Sequence, residues 1–476
     1  MMMAKHFFPP VVAVLLLAGC SLIPDFERPA LPTAASWPQA DPASQETPAA
    51  DIGWRTFFRD PVIQDLIAAA LANNRDLRVA ALNAEAAEAQ YRVTHSSLFP
   101  TLDATAGFER SRTPGDVYGS SAPQNLRQYS VGLSAASWEL DFFGRLRSQS
   151  QQARETWLQE KELQQSEQIT LVAQVASAYS AWLADSEARA IAQDTVNVQA
   201  RTLQLTQEKL AHGSGTALDV AQAETSLHSA QANVAQYARA VAQDMDSLVL
   251  LLGAPLSDPL SQRMTAAAAQ RALPPVLDVP AGLPAALLER RPDIRAAEHA
   301  LRAANANIGA ARAAFFPQVT LTASGGTAGS GLTRLFGDSQ GAWLFQPSVS
   351  LPIFDAGQNE ANLDLAKIKN RIEIATYEKA IQSAFRDVAD ALAGRATYTD
   401  QMAAQQALVA AAQRYYQLSD LRFRAGTDSF LNVLVSQNAL LSARLNLVSL
   451  RLSVTQNAVT LYKTLGGGWK ETDQHS

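Results

Sequence analysis

Residues 145–212 decide the fold, and they read RLRSQSQQARETWLQEKELQQSEQITLVAQVASAYSAWLADSEARAIAQDTVNVQARTLQLTQEKLAH, without one proline or glycine. Such a stretch predicts one α-helix, about 100 Å long at the usual rise per residue. Apolar side chains recur in it at intervals of three and four residues, which is typical of a coiled-coil seam: Val172, Val175, Tyr179 and Trp182. A helix this long is not expected to bury its seam within one chain, so the stretch indicates a homo-oligomer.

The helix belongs to a unit that occurs twice. Residues 97–102 (SLFPTL) correspond to residues 314–319 (AFFPQV), and residues 140–144 (LDFFG) correspond to residues 352–357 (PIFDAG). These landmarks keep their order and nearly one spacing, which indicates two tandem repeats.

Each repeat is predicted to run helix, strand, loop, strand, long helix, turn and returning helix. The first repeat is expected to have helices at 61–97, 145–212 and 216–252, and strands near 101–108 and 129–135. The second is expected to have helices at 287–315, 359–425 and 427–465, and strands near 319–323 and 345–351. The glycines at 466–468 are a helix stop. Four further glycines are assigned to a flexible loop between strands: Gly325, Gly326, Gly329 and Gly331.

Polar and apolar residues alternate in the strands, so each strand has one polar and one apolar face. Four strands are too few for a closed barrel, which needs about eight, and open sheet edges are not tolerated in lipid. The strands must therefore come from several chains: two chains would supply eight and three would supply twelve. A polar inner face favours a wet lumen.

These features divide the chain into six segments. They are a signal peptide at 1–19, a lipidated proline-rich segment at 20–60, repeat one at 61–252, an inter-repeat linker at 253–286, repeat two at 287–465 and a tail at 466–476. The segments 20–60 and 253–286 are both rich in proline. They are expected to be extended and packed along the outside of the protein, or alternatively flexible.

The start of the chain is typical of an exported lipoprotein. A short positive start and a brief apolar segment end in Leu17-Ala18-Gly19-Cys20, which resembles a bacterial lipobox. In that type of signal, cleavage precedes the cysteine, and Cys20 would carry a diacylglyceryl group and an N-acyl chain. Ser21 then implies sorting to the outer membrane. The alternative is an ordinary signal peptide with an incidental cysteine.

Composition excludes several classes of protein. The net charge is −6 and no basic block stands out, so a nucleic-acid partner is not expected. No run of 18 apolar residues occurs, so no transmembrane helix is expected. Neither the six histidines nor any glycine motif has the spacing of a metal site, a P-loop or a nucleophile elbow. The residues therefore show none of these catalytic motifs, and no cofactor is expected besides the covalent lipid.

Three segments resemble the outer-membrane factor family, the OprM-like and NodT-like lipoproteins related to TolC. They are LLERRPDI at 287–294, AANANIGAARAAFFP at 303–317 and LYKTLGGGW at 461–469. The resemblance implies a mainly α fold with a membrane β-barrel portion: a homotrimer with twelve strands in the outer membrane and twelve helices in a periplasmic tunnel, girdled by an equatorial domain. It also implies a passive exit duct for small toxic compounds, docked onto a periplasmic membrane-fusion adaptor and an inner-membrane RND-type pump. The protein would then not be an enzyme.

The resemblance also implies functional roles for the two helix–turn–helix tips. The adaptor-docking positions are Gly215, Thr216, Gly426 and Thr427. The periplasmic aperture positions are Asp219, Phe423, Asp428, Leu431, Asn432 and Val435. Relatives often have carboxylates where this chain has Asn432 and Val435. We therefore hypothesise a neutral gate: Leu431 and Val435 form an apolar plug, while Asp219 and Asp428 make polar contacts between helix pairs. The alternative is ordinary packing in a helix bundle.

Two other functions stay open at this point. One is the outer-membrane duct of a type I protein secretion system. The other is an envelope scaffold that transports nothing.

Overall fold

The computed structural model describes residues 21–30, 32–34, 37, 48–114, 116, 122–279 and 287–472. Cys20 and the signal peptide lie outside these residues. The first repeat contains α1 (Pro61–Asn73), α2 (Arg75–Ser96), β1 (Asp103–Thr113), β2 (Gln124–Leu140), α3 (Arg145–Ala211) and α4 (Ala217–Leu252). There follow α5 (Asp258–Ala269), α6 (Pro292–Ala313), β3 (Gln318–Gly329), β4 (Gly341–Ser350), α7 (Gln358–Arg424) and α8 (Phe430–Thr464).

The first predicted helix is broken in two by Asn74. The backbone of Asn74 is extended (φ −58°, ψ 136°), so α1 ends before Asn74 and α2 begins after it. The Asn74 side chain accepts a hydrogen bond from the Leu77 backbone N–H at 2.8 Å and donates one to the Leu251 carbonyl at 2.8 Å. An asparagine that caps the next helix in this way favours a break over a continuous helix.

The four strands form one antiparallel sheet in the order β1-β2-β3-β4. The pair β2–β3 joins the two repeats, while β1 and β4 each leave one edge unpaired within the described part of the chain. The strands are longer than predicted, and β2 has an irregularity between Ala135 and Trp138, where Ser137 has a positive φ of 50°. Such a bulge bends and twists the strand.

The glycines assigned to a loop lie mostly in a strand, which corrects that prediction. Gly325, Gly326 and Gly329 belong to β3, and Gly331 alone follows its end. Gly326 is directly opposite Gly132 of β2, and a Cβ on Gly326 would overlap the Val131 carbonyl. Gly326 is thus required where two strands approach closely, rather than where a loop must flex.

The long helices α3 and α7 have 67 residues each, as the absence of proline predicts. Gly394 lies inside α7 and does not interrupt it. The seam of α3 is buried within the single chain, with Val175 and Tyr179 fully covered. The prediction that only neighbouring chains could cover this seam is therefore wrong, because α3 packs among other helices of its own chain.

The inter-repeat segment is also more ordered than predicted. It contains the helix α5, which starts at Asp258 with proline in its first turn and buries Leu260 and Met264. Proline is favourable there because its missing N–H would have no intrahelical partner. Elsewhere the expectation of packing holds: Trp37 of the first proline-rich segment stacks on Phe385 of α7, with ring centroids 4.7 Å apart.

The helix α8 is, in the described part of the chain, the one helix long and apolar enough to cross a membrane, although none was expected. Its most apolar window has a mean hydropathy of 1.2, and 39% of that window is buried. Its residue Val448 packs with Ala184 and Ile191 of α3. An apolar helix with this many protein contacts behaves as a core helix.

The described chain divides into two compact units, and each draws on both repeats. One unit comprises described residues within 1–30, 84–160 and 297–377, and holds the sheet. The other comprises those within 31–83, 161–296 and 378–476, and holds both helix–turn–helix tips. The segment boundaries proposed from the sequence stay predictions.

Candidate functional site

One face of the sheet is apolar across all four strands. Directly opposed residues of antiparallel strands lie on the same face, and the register places Leu133 opposite both Ala104 and Gly325. The same face carries the following residues, most of them exposed: Ala106, Phe108, Val131, Trp138, Leu140, Val319, Leu321, Phe345, Pro347 and Val349. An exposed apolar face of this extent requires a lipid or protein cover.

The other face of the same sheet is mainly polar. It carries Asp103, Thr105, Glu109, Ser130, Ser134, Thr320, Thr322, Ser324, Gln346 and Ser348. One wet face and one apolar face, on a sheet with two free edges, is the arrangement of a segment of a membrane barrel.

A belt of exposed apolar residues surrounds the ends of the strands that join helices. Ile353 and Phe354, just after β4, are 94% and 90% exposed. The belt also includes Phe99, Leu102, Phe142, Phe315 and Leu351. Aromatic side chains are enriched at the boundary between lipid and water, so the four phenylalanines of this belt mark one edge of the apolar face. The strand alternation did not reveal it, because the belt lies outside the strands.

The first described residues of the chain lie along α6. Arg28 donates two hydrogen bonds to the carboxylate of Glu298, at 3.0 and 2.9 Å, and Arg302 donates another to it at 2.6 Å. Glu298 is buried, so the two guanidinium groups balance its charge. The Arg302 guanidinium also lies 4.9 Å from the ring centroid of Phe26.

The direction of this segment, residues 22–30, follows from its contacts. Leu22 accepts a hydrogen bond from Arg312 near the end of α6, whereas Arg28 reaches Glu298 in its first half. The segment therefore runs antiparallel to α6, and its start lies toward the end of α6 that leads into β3. Sequence reasoning missed this docking because both partners are ordinary charged residues on helix or loop.

The first tip joins α3 to α4. Gly213 has a left-handed backbone conformation (φ 73°). Gly215 packs so tightly that a Cβ on it would lie 2.9 Å from the Leu210 backbone nitrogen. Thr216 and Asp219 form a reciprocal capping box: each side chain accepts a hydrogen bond from the other residue's backbone N–H at 3.1 Å. The carboxylate of Asp219 is thus hydrogen-bonded to Thr216, at the start of its own helix α4.

The second tip joins α7 to α8 through Gly426, which is also left-handed (φ 74°). Asp428 accepts hydrogen bonds from Asn432 Nδ2 at 2.7 Å and the Ser429 backbone N–H at 2.8 Å, and it pairs with Arg422 at 3.2 Å. The Asn432 amide is the main cause that lowers the pKa of Asp428, followed by the Ser429 N–H.

In the described chain, Asp219 and Asp428 form hydrogen bonds within their own tips. Their polar contacts between helix pairs stay a prediction. The left-handed Gly213 corresponds to Gly426 at the same 213-residue spacing that relates Asp219 to Asn432. Gly215, two residues after Gly213, is the closely packed glycine of the first tip.

Phe423 is buried within the chain rather than presented at an aperture. It packs with Ala223, Phe430 and Val433. The Lys209 ammonium lies 3.7 Å from the Phe423 ring centroid and donates to the Phe423 carbonyl at 3.0 Å. Lys209 therefore joins the end of α3 to the end of α7. Sequence reasoning missed it, since a single lysine in the last turn of a helix is ordinary.

Leu431 and Val435 are one turn apart on α8 and are 54% and 48% exposed. Packing within one chain, the alternative interpretation, therefore leaves about half of each side chain uncovered. Leu218 of the first tip is 66% exposed and corresponds to Leu431 at the 213-residue spacing. A position-by-position comparison of the repeats would have identified it.

No group of three or more His, Cys, Asp or Glu residues that could hold a metal ion occurs among the residues described.

Comparison with known proteins gives one consistent result. The family model described as outer membrane efflux protein matches residues 66–254 and 283–467. The toluene efflux pump outer membrane protein TtgC of Pseudomonas putida is 47% identical over 474 residues, which cover 98% of this chain and 97% of that protein.

Two solved structures are similar throughout. A membrane protein from Pseudomonas aeruginosa has a TM-score of 0.86 at 36% identity, covering 94% of this chain and all of that one. The open state of the Neisseria gonorrhoeae MtrE outer membrane channel has a TM-score of 0.85 at 37% identity, covering 96% of this chain and all of that one. The chain therefore belongs to the outer membrane efflux protein family.

Proposed function

We propose that this chain is the outer-membrane exit duct of a tripartite efflux system and works as a homotrimer that passes small toxic compounds out of the cell. The observation that carries the proposal is the four-stranded sheet, apolar on one face and polar on the other, with both edges free. Family membership supports the outer-membrane location, and the toluene pump component that it resembles suggests small toxic organic compounds as cargo.

The number of chains follows from barrel geometry. Two chains would close an eight-stranded barrel, whose interior is just wide enough to be filled by side chains. Three chains would close twelve strands, which is the smallest multiple that leaves room for a wet duct. The free edges of β1 and β4 would then pair between neighbouring chains.

A covalent lipid on Cys20 would hold the chain at the membrane. One acyl chain binds a bilayer weakly, whereas three chains on one cysteine bind firmly. The antiparallel docking of residues 22–30 on α6 supports this, because it directs the start of the mature chain toward the strands. Mass spectrometry of the mature N-terminal peptide tests it: an unmodified Cys20, or cleavage elsewhere, would contradict the lipidation.

The tips are the proposed docking surface for a periplasmic membrane-fusion adaptor fed by an inner-membrane pump of the RND type. The residues around Gly215, Thr216, Gly426 and Thr427 are largely exposed, as a docking surface requires. Replacement of Thr216 and Thr427 by arginine is expected to abolish co-purification of the adaptor without loss of channel conductance.

The proposed gate is apolar. Leu431 and Val435 present half-exposed side chains one turn apart, and three copies around an axis would bring them together. The double variant L431A/V435A is expected to raise single-channel conductance in planar bilayers severalfold.

The matched control for that test is V79A/L82A on α2, which removes one valine and one leucine of 55% and 51% exposure. Equal conductance in both variants and in the wild type would contradict the proposed apolar gate of Leu431 and Val435.

The alternative functions have separate readouts. A deletion strain should accumulate dyes and antibiotics if the chain is an efflux duct. Normal dye exclusion, combined with loss of one secreted protein from the medium, would favour type I secretion. Normal dye exclusion and normal protein secretion in the deletion strain, with no conductance of the purified protein in bilayers, would favour a scaffold.

A further inference from the structure

Two arginines face each other at the loop end of the apolar face of the sheet. Arg110 of β1 is directly opposite Arg127 of β2, so both side chains lie on one face. The adjacent pair on that face is Phe108 with Tyr129, whose ring centroids are 4.7 Å apart. Arg112 lies two positions further along β1 and belongs to the same face. The apolar face therefore ends in an aromatic pair followed by three cations, the arginine cluster.

The positive charge of this cluster is not balanced within the described chain. Arg110, Arg112 and Arg127 are exposed, and none forms an ion pair with a residue that the structure describes. Like charges directly opposite each other in a sheet destabilise the pair. On the polar face at the same level, Glu109 is opposite Gln128, so the cations are confined to the apolar face.

The position of the arginine cluster relative to the membrane follows from the length of the strands. The apolar face of β2 extends from Leu140 to Tyr129, which is about 36 Å along the strand and about 26 Å across a bilayer for a strand tilted by ~45°. An outer-membrane barrel has an apolar band about 25 Å tall. The arginine cluster lies immediately beyond this band, at the end of the strands opposite to the helices α2 and α3.

We infer that Arg110 and Arg127, together with Arg112, bind the phosphate of a phosphorylated lipid headgroup in the outer leaflet. The inference rests on the proposed membrane location of the sheet. Guanidinium groups match phosphate oxygens in a bidentate fork and are more weakly hydrated than ammonium groups. A bound phosphate would cancel the repulsion between the two opposed arginines. A lipid is favoured over a free anion because the cluster is continuous with a surface that contacts acyl chains.

The test uses the full-length chain in a mild nonionic detergent, with bisphosphorylated lipid A as the probe and native mass spectrometry as the readout. The variant R110S/R127S is expected to bind the probe about tenfold more weakly or worse. The matched control is R92S/R371S, which removes two exposed helix arginines that have no ion pair with a described residue. That control is expected to bind within about twofold of the wild type.

Two competition measurements identify the ligand. Inorganic phosphate at equal concentration is expected not to displace lipid A, and dioleoylphosphatidylcholine, which has no net charge, is expected not to replace it. Displacement by inorganic phosphate, or equal binding by R110S/R127S and the wild type, would overturn the inference. So would loss of binding in R92S/R371S to the same extent.

A neighbouring chain is the competing occupant of the cluster, since the β3–β4 loop carries Asp338. If D338N lowered trimer stability as much as R110S/R127S did, the arginines would pair with protein and the inference would fail.

Conductance in phosphatidylcholine bilayers separates this inference from the proposed function. R110S/R127S is expected to conduct like the wild type, which shows that it folds. If R110S/R127S does not conduct, R110Q/R127Q takes its place, because glutamine removes the charge and keeps the Cβ, Cγ and Cδ atoms of arginine. If the wild-type protein conducts but does not bind lipid A, only the inferred headgroup site is contradicted. If the wild-type protein does not conduct, the proposed function as a duct is contradicted.

Discussion

Gly326 illustrates how one residue controls the sheet. It lies opposite Gly132, and the chain of β2 passes so close that a Cβ at Gly326 would overlap the Val131 carbonyl. Its neighbour Gly325 has open space at the same position, with nothing within 4 Å. Two adjacent glycines thus have different constraints, because they lie on opposite faces of β3.

We therefore expect Gly326→Ala to destabilise the sheet by about 1–3 kcal/mol per chain, since overpacking forces the strands apart. The temperature at which the assembled protein dissociates on a semi-native gel measures this. Gly325→Ala is the matched control and should leave that temperature nearly unchanged. The account fails if both variants behave alike.

A second residue-scale prediction concerns two carboxyl groups that face each other, Asp185 of α3 and Asp244 of α4. Burial, with the Asp185 charge second, raises the pKa of Asp244 to about 6, and burial raises the pKa of Asp185 as well. The folded chain therefore holds a proton that the unfolded chain releases near pH 4. Stability from this pair falls as pH rises from about 4 to about 6 and is level above that.

Asp244→Asn is accordingly expected to raise the melting temperature at pH 7.5 but not at pH 4.5, with a gain of at most about 1–2 kcal/mol after screening by solvent. Calorimetry at both pH values checks this. Asp246→Asn, an exposed carboxylate on the same helix, is the control and should show no such pH dependence. A gain of equal size at both pH values would contradict the assignment.

At the scale of elements, the tips are organised by local capping and by contacts between the repeats, both apolar and polar. Each turn closes on itself: the Thr216–Asp219 box in one, and Asp428 with Asn432 in the other. Lys209 connects the end of α3 to the end of α7 by a charged hydrogen bond and a cation–π contact. The two tips can therefore be loosened from each other without unfolding either turn.

We expect Lys209→Met to increase amide hydrogen exchange at Gly426 and Thr427 about tenfold, because it removes a charged hydrogen bond and a cation–π contact worth about 1–2 kcal/mol together. Hydrogen-exchange mass spectrometry measures this. Arg201→Met, an exposed change on the same helix, should leave the exchange unaltered. Unchanged protection in Lys209→Met would mean that Lys209 does not hold the tips.

At the scale of the whole molecule, the free edges of β1 and β4 demand neighbours. An edge strand with exposed N–H and C=O groups is not stable in lipid. The chain is suited to a crosslinking test, since Cys20 is its only cysteine and is the proposed site of lipid attachment.

Thr105→Cys of β1, combined in turn with Leu344→Cys, Gln346→Cys or Ser348→Cys of β4, is expected to give crosslinked species that end at three chains. Denaturing gels after treatment with a short bifunctional reagent measure this. Ser134→Cys with Ser324→Cys, directly opposed within one chain, is the control and should give a crosslinked monomer. A ladder that stops at two chains, or continues past three, would refute the homotrimer.

The sequence by itself determined the elements whose bonds are local. The absence of proline and glycine over 145–212 was sufficient for α3, because every helical hydrogen bond joins residues four apart. Alternation was sufficient to identify a strand and its two faces. The repeat, the tips and the end of α8 before Gly466 were likewise readable from the sequence, and so was the family.

The tertiary structure alone decided which distant residues meet. The pairing of β2 with β3 joins residues nearly two hundred positions apart, and no local pattern encodes that register. The same holds for Gly326 beneath Val131, Phe423 beside Lys209 and Arg28 on Glu298. Asn74 breaks a helix because the Leu251 carbonyl stands within reach. Local propensity specifies a helix or a strand, whereas its partners depend on packing that the whole chain creates.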